Sequence, residues 1–532
     1  TSNFRQAGWS YTTNGGASWT FPGVLENNVF RSDPVLDSDS TGNFFYLSLL
    51  ETFFDNMWRS LDGGMSWTNI APADGGDKEW FTIDNTSSTG HGFQYSHWSS
   101  SGNNYGGRQF TRSTDGGFTW LNPVSIPNSP SWGTPDVDSN GLLFIGGVNL
   151  NTGQIWCERS SNARVGTATP SFDQSTAVNL GGSIAISEPI NPDGLVGQIF
   201  LAVDRSGTAT NNNVYMMASV VPTGASNGSD VMFVRSSDAG HTFSAPVRVN
   251  DDPINHNKWH WFGTLSVAPN GRIDSVWLDT RNAENNTDSQ LFYSYSTDGG
   301  VTWAPNVAVS DSFNPFLGYP NQNKIGDYIT IVSDNTGGNV AYAATFNQEE
   351  DIYYVRVAPA GAALVLESAE STLGGFGIDL PLTGTPGVED RSGGRQGNYT
   401  VNFTFNNNLT GVASVATSCG TVASSMISGT DPHQYIVNLR GVTCNAEDVT
   451  VTLTGVTDDQ SNTLPSAAVT MGLLLGDVDG DGTVTKTDYS IEKTDQGQTT
   501  NSSNFRADIN VNGSIDRKDA STVKKQIGTS LS

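Results

Sequence analysis

The chain is 532 residues long, with 53 acidic and 26 basic side chains and a formal net charge of −27. Binding nucleic acid through its phosphates, or docking on anionic lipid, needs a basic face, so this charge excludes both. Thirteen tryptophans and 25 phenylalanines exclude a disordered chain, and 59 glycines with abundant Asn, Ser and Thr fit short strands joined by tight turns.

The length suggests about three domains. No apolar run reaches the 18 residues or so that a membrane helix needs. The chain begins at Thr1 without a methionine, which fits a processed, exported protein.

From the N-terminus onward, one short pattern recurs. It reads Thr12-Thr-Asn14-Gly-Gly16-Ala-Ser18-Trp19, Ser60-Leu-Asp62-Gly-Gly64-Met-Ser66-Trp67 and Ser113-Thr-Asp115-Gly-Gly117-Phe-Thr119-Trp120. It returns as Ser236-Ser-Asp238-Ala-Gly240-His-Thr242-Phe243 and Ser296-Thr-Asp298-Gly-Gly300-Val-Thr302-Trp303. One gap is about twice as long as the others, which fits a unit that lost its copy around Arg159-Ser160-Ser161-Asn162. The carboxylate accepts backbone N–H groups inside a turn that needs φ > 0, and the aromatic residue packs under a neighbouring strand. This is the Asp-box, S-x-D-x-G-x-T-W, and it resembles the sialidase-type β-propellers. Asp-boxes are structural, so the pattern speaks for fold rather than activity.

Six pairs of apolar runs accompany the boxes. They begin at Pro34 and Phe44, Trp80 and Phe93, Asp136 and Leu142, Ile184 and Ile199, Phe262 and Ile273, and Tyr328 and Val340. The sixth pair ends in Ile352-Tyr-Tyr-Val-Arg-Val with no box after it. The N-terminal box is expected to supply its missing strand and close the ring. The expectation is a mainly β chain with a six-bladed propeller over residues 1–358; seven blades is the lesser alternative.

Residues 359–472 alternate in pattern around Tyr399, Gln434 and Val449, which predicts an Ig-like β-sandwich. Cys419 and Cys444 fall here, and a disulfide between them is as plausible as two free thiols, because spacing cannot establish geometry. Cys157 reads as a buried small hydrophobe.

Residues 473–532 carry two twelve-residue loops. Asp477, Asp479, Asp481, Thr485 and Asp488 occupy positions 1, 3, 5, 9 and 12 of the first, with Thr483 at position 7. Asp508, Asn510, Asn512, Asp516 and Asp519 do so in the second, with Ser514 at position 7. Gly482 and Gly513 sit at the sharp turn, and hard oxygens at this spacing form the EF-hand calcium arrangement, with Asp replacing the usual Glu at position 12. Each loop opens a short helix ending near Gly497 or Gly528. The module resembles a type I dockerin. The resemblance implies two bound calcium ions and a cohesin-like partner, or another copy of the chain. It also implies that positions 10 and 11, Lys486-Thr487 and Arg517-Lys518, help recognise that partner. A purely structural calcium knot is the plainer alternative.

The propeller resemblance also implies a candidate site. Sialidases hold the sugar carboxylate with three arginines, attack with a Tyr activated by a Glu, and use an Asp as acid/base. The family order is matched by Arg31, Asp55, Glu188, Arg205, Arg281 and Tyr328. On this reading Arg31, Arg205 and Arg281 clamp, Tyr328 attacks, Glu188 is the base and Asp55 the acid/base. The chain departs from the pattern at Arg31-Ser-Asp-Pro and at Asp327-Tyr328. Alternatively, Arg31, Arg205 and Arg281 pair with Asp33, Asp204 and Asp279 as salt bridges between blades. Asp77-Lys78-Glu79-Trp80 is a further candidate contact for calcium or carbohydrate.

The reading is a secreted or cell-surface, sialidase-like glycoside hydrolase with a calcium-dependent attachment module. The alternative is a non-catalytic subunit of an extracellular assembly, surface layer or filament, or a glycan-binding propeller.

Overall fold

A computed structural model describes residues 5–225, 227–318, 323–361, 363–460 and 462–531. The described residues form two compact units, one made of those up to Tyr11 with Phe21–Pro359, the other of Thr12–Thr20 with Ala360–Ser532. The chain is mainly β, and the two α-helices among the described residues lie near the C-terminus.

The described residues of the first unit form six sheets of three to five strands, over 32–72, 80–113, 130–178, 182–248, 260–308 and 330–357. Successive sheets set their inner strands side by side, from Ser32–Ser38 through Trp80–Ile83, Pro135–Val137, Phe200–Val203 and His260–Val267 to Thr330–Ser333. This is the propeller arrangement. Apolar side chains fill the space between neighbouring sheets: Phe144, Cys157, Leu201 and Met216 make one such core and Phe233, Trp277 and Phe292 another.

The boxes form the turns their sequence implies. In the third copy Ser113 Oγ donates to Asp115 Oδ1 at 2.8 Å and accepts Gly117 N–H at 2.9 Å. Asp115 in turn accepts Thr119 N–H at 2.9 Å and Thr119 Oγ1–H at 2.7 Å. The degenerate copy keeps half of this: Ser160 Oγ donates to Asn162 at 3.1 Å, but Ser171 N–H takes the place of the local Thr at 2.8 Å.

Two expectations change. The run at Ile184 is not an inner strand. Phe200–Val203 is, and its partner is Val214–Pro222, whose far end pairs with Gly182–Ser183. The N-terminal box closes a hairpin of its own, Gly8–Tyr11 with Thr20–Val24, and the sixth sheet keeps three strands. A tight turn pairs its own flanking strands first, and Ala7, Trp9 and Leu25 bury against Tyr46 and Trp58 of the first sheet.

In the second unit, a five-stranded sheet packs face to face with a four-stranded one. Val401, Phe403 and Val437 of one sheet meet Val451, Leu453 and Val469 of the other. The Cys419–Cys444 disulfide is formed, and Cys157 of the first unit is a buried free thiol.

Helix α1 spans Lys486–Asp495 and α2 spans Arg517–Gln526. Loop positions 9 and 12 double as their capping boxes: Thr485 with Asp488, and Asp516 with Asp519. Each helix tail returns to the opposite loop, through the bridges Thr483↔Ser530 and Thr499↔Ser514.

Candidate functional site

One end of the propeller axis gathers ionisable side chains from segments that lead into three sheets. Arg31 and Asp33 open the first sheet, and Asp55 follows the turn 50–54 at the same end of that sheet. Asp77, Lys78 and Glu79 lead into the second, and Lys324, Asp327 and Tyr328 into the sixth. Lys78 Nζ is the hub, lying 3.2 Å from Asp33, 3.1 Å from Asp327 and 3.7 Å from Asp77. Lys324 Nζ meets Asp327 at 2.6 Å. Asp33 and Lys78 adopt left-handed φ of 46° and 58°, a strain that non-glycine residues carry only when their surroundings enforce it. Beneath this network Trp80 packs on Tyr328, ring centroids 5.2 Å apart, and on Phe200.

The electrostatics divide the cluster. Burial disfavours every charge here, yet Lys78 and Lys324 hold Asp327 down at about 2, and the surrounding carboxylates hold the Lys78 ammonium well above its usual range. Asp55 and Glu79 go the other way. Both are completely buried, and none of their carboxyl oxygens accepts a hydrogen bond from another residue. Burial first, then the Asp33 charge, drives Asp55 well above the carboxylate range against the pull of Arg31. Burial, Asp55 and Asp33 do the same to Glu79. A buried, unpaired carboxyl of this kind stays protonated and is able to act as a general acid. Tyr328 is also raised well above its usual range, by burial and then by Asp33, Glu79, Asp327 and Asp77.

The six sialidase-like positions separate into three networks. Arg31, Asp55 and Tyr328 share the cluster above. Arg31 is buried, pairs with Glu26, donates to the Ser48 carbonyl at 3.2 Å and lies over Trp58. Glu188 is half-buried in a loop that reaches the Tyr328 segment: Leu195 N–H donates to Asp327 at 3.0 Å and Asn191 to the Gly326 carbonyl at 2.9 Å. Arg205 bonds Asp136 at 2.5 Å and the Val137 carbonyl at 2.6 Å, and acts electrostatically on Asp37. Asp37 lies four residues along the strand from Asp33, roughly 13 Å toward the other end of the axis. Arg281 bonds Asp279 at 2.8 Å and Asp251 at 2.7 Å and covers Phe292. Of the three pairs considered from sequence as bridges between blades, Arg281–Asp279 forms but within one sheet, at the end of Ile273–Asp279, while Arg205 takes Asp136 and Arg31 takes Glu26.

Sequence reasoning counted Glu79 among the charged residues of the same face, and within Asp77-Lys78-Glu79-Trp80 as a candidate contact, but missed it as the neighbour of Asp55. A Glu directly before an inner strand, at the end of the sheet where Asp55 also begins a strand, was the available signal.

In the C-terminal module, ligand atoms of Asp477, Asp479 and Asp481 lie within 4.8 Å of one another. Asp477 accepts Gly482 N–H at 2.8 Å, and Asp488 accepts Asp479 N–H at 3.1 Å and Thr485 N–H at 2.7 Å. Burial and then the charge of Asp488 push Asp477 up to about 6. That repulsion among converging carboxylates is what a divalent cation relieves, so the first loop fits calcium. The second loop repeats the frame: Asp508 accepts Gly513 N–H at 2.8 Å, and Asp519 accepts Asn510 N–H at 3.0 Å and Asp516 N–H at 2.8 Å. Lys486 and Thr487, expected from sequence to meet a partner, open α1, and Arg517 and Lys518 open α2; the N–H groups of Thr487 and Lys518 donate to the capping side chains of Thr485 and Asp516.

Residues 475–528 match the dockerin type I domain. No curated protein matches the chain. Among solved structures, it is similar to a protein of unknown function from Dyadobacter fermentans at 14% identity and a TM-score of 0.39, over 63% of this chain and 96% of that one. It is similar to an α-L-arabinanase from Penicillium chrysogenum at 14% identity and 0.33, over 78% and 96%. A polysaccharide lyase described as an ulvan lyase gives 9% and 0.38, over 87% and 96%.

Proposed function

We propose that this chain is an extracellular glycan-processing enzyme, a glycoside hydrolase whose propeller is tethered through its calcium-dependent dockerin module. The carrying observation is Asp55, a completely buried carboxyl without a hydrogen-bond partner, held in its acid form beside Glu79 and within the field of Arg31. A glycosidase needs such an acid to protonate the leaving-group oxygen.

The finer proposal is sialidase chemistry, with Asp55 as acid/base, Tyr328 as nucleophile, Glu188 as its base and Arg31 on the sugar carboxylate. Arg205 and Arg281 would join only by leaving their present carboxylate partners. The dockerin module would take calcium in both loops and present Lys486-Thr487 and Arg517-Lys518 to a cohesin-like partner or another copy of the chain.

The test is hydrolysis of a fluorogenic α-sialoside and a panel of neutral glycosides, with calcium, beside Asp55→Asn, Tyr328→Phe and Arg281→Ala. We expect Asp55→Asn to lower turnover by ~10²–10⁴-fold on any accepted substrate. Sialoside turnover lost in Tyr328→Phe and Arg281→Ala supports the finer proposal, whereas turnover of neutral glycosides alone removes it. Absence of all hydrolysis, with calcium-dependent self-association, would favour an assembly subunit instead.

A further inference from the structure

Arg506 stands in the short turn Phe505–Ala507, two residues before Asp508 opens the second calcium loop. Its guanidinium reaches the first loop instead. Nε donates to the Val478 carbonyl at 3.0 Å, and Nη2 to the carbonyls of Asp477 at 3.1 Å and Val388 at 3.0 Å. The same Nη2 lies 3.3 Å from Asp390, a completely buried carboxyl.

Val388 and Asp390 belong to the β-sandwich part of the chain, and their segment is gripped by both loops. Gly387–Glu389 pairs in parallel with Met471–Leu473, and Asp390 accepts Gly476 N–H on its carbonyl at 2.9 Å. Ser392 N–H donates to the Ile509 carbonyl inside the second loop at 2.7 Å. Val388 shares one apolar core with Val478, Val484, Ile509 and Val523. Phe376 stacks on Phe505 at 5.3 Å, and Arg391 covers the same ring.

We propose that Arg506 is a positioning residue for calcium, clamping the first loop to segment 387–392 and to the entry of the second loop. The proposal rests on the reading of the loops as calcium sites. Direct electrostatics run against it, because a guanidinium beside a calcium loop repels the ion. Its contribution is therefore geometric. It fixes the carbonyls of loop positions 1 and 2, and with them the side chain of Asp477. One planar fork satisfies three backbone acceptors and sets its charge beside a buried acid whose carboxyl oxygens accept no hydrogen bond, which an ammonium cannot do. The clamp is one-sided: the equivalent position before the first loop is Leu475, so the second loop has no matching arginine.

The sign of one substitution separates the two effects. The full chain, stripped with chelator, is titrated with calcium chloride by calorimetry, with Asp479→Ala and Asn510→Ala assigning the two sites. Arg506→Gln removes the repulsion together with the clamp, whereas Arg506→Lys removes the fork and keeps the charge. We expect both to weaken the first loop by ~10–100-fold, the usual cost of losing an outer-shell partner, and to leave the second within about threefold. The rise in melting temperature that calcium gives the second unit shrinks with them. Asp390→Asn, which spares the three carbonyl bonds, weakens the first loop in the same direction but less, and serves if Arg506→Gln does not fold. Unchanged or tighter binding at the first loop in these variants overturns the proposal. Wild-type chain that takes up no calcium overturns the calcium reading itself.

Discussion

The buried ring of His260 has a carbonyl at one nitrogen and carboxylates around the other, a setting that favours the imidazolium. It is buried between the fourth and fifth sheets, with Nδ1 donating to the Ser229 carbonyl at 2.5 Å and Nε2 facing Asp252 at 3.0 Å. Asp230 and Asp279 each lie at 3.7 Å, and Arg248 and Arg281 bind the same carboxylates from outside. Burial favours the neutral ring, but Asp252 and Asp279 override it and raise the His260 pKa above its ordinary 6.5. Burial likewise opposes the Asp252 charge, and His260 overrides that too. A raised folded-state pKa adds stability in full below about 6.5 and loses it as pH rises through the folded value. We expect propeller stability to fall on that rise, and His260→Gln to flatten the slope while lowering stability at pH 6. Parallel stability–pH curves for the two proteins would refute the imidazolium assignment. The same residue scale shows why the arginines were hard to read. Residue order along the chain located Arg31, Asp55 and Tyr328 at one end of the axis. It could not say that Arg205 lies toward the other end, because the Ile184 run was read as the inner strand, whereas Phe200–Val203 holds that place and Arg205 follows its far end.

At the scale of elements, the Asp-box was legible because every contact in it is local. Ser113, Asp115, Gly117 and Thr119 satisfy one another within seven residues. The Ile184 run misled for the opposite reason: an apolar stretch becomes an inner strand only when a partner is free, and Phe200–Val203 holds that partner. The fifth box shows what the repeat contributes to packing. Gly300 has φ of 80°, and a Cβ there would fall 2.1 Å from the Phe233 ring, a fully buried side chain of the preceding sheet. Gly300→Ala therefore combines left-handed strain of about 1–2 kcal/mol with an overpacking cost of about 1–3 kcal/mol. The adjoining Gly299→Ala, also at positive φ but against the more yielding Thr210 methyl at 2.9 Å, costs less. Denaturant midpoints for the pair measure the difference. Equal midpoints would mean that the box turn is not wedged against the neighbouring sheet.

At the scale of the whole chain, two units with separate cores imply two unfolding transitions, and the cysteines provide a way to tell them apart. Cys419–Cys444 closes a separation of 25 residues within the second unit, worth about 3.5 kcal/mol on the chain-entropy account. Cys157, the remaining cysteine, is a buried thiol in the first unit and has nothing to lose to a reductant. At about 2–4 °C per kcal/mol for a unit of this size, reduction should lower one transition by about 7–14 °C. The transition that moves belongs to the sandwich and calcium module, and calcium should move that same transition upward, because the apolar core around Val388 joins those two parts. Cys419→Ser with Cys444→Ser reproduces the reduced behaviour without reductant. If calcium and reductant act on different transitions in calorimetry, the calcium module melts apart from the sandwich, and the contacts of segment 387–392 do not transmit stability between them.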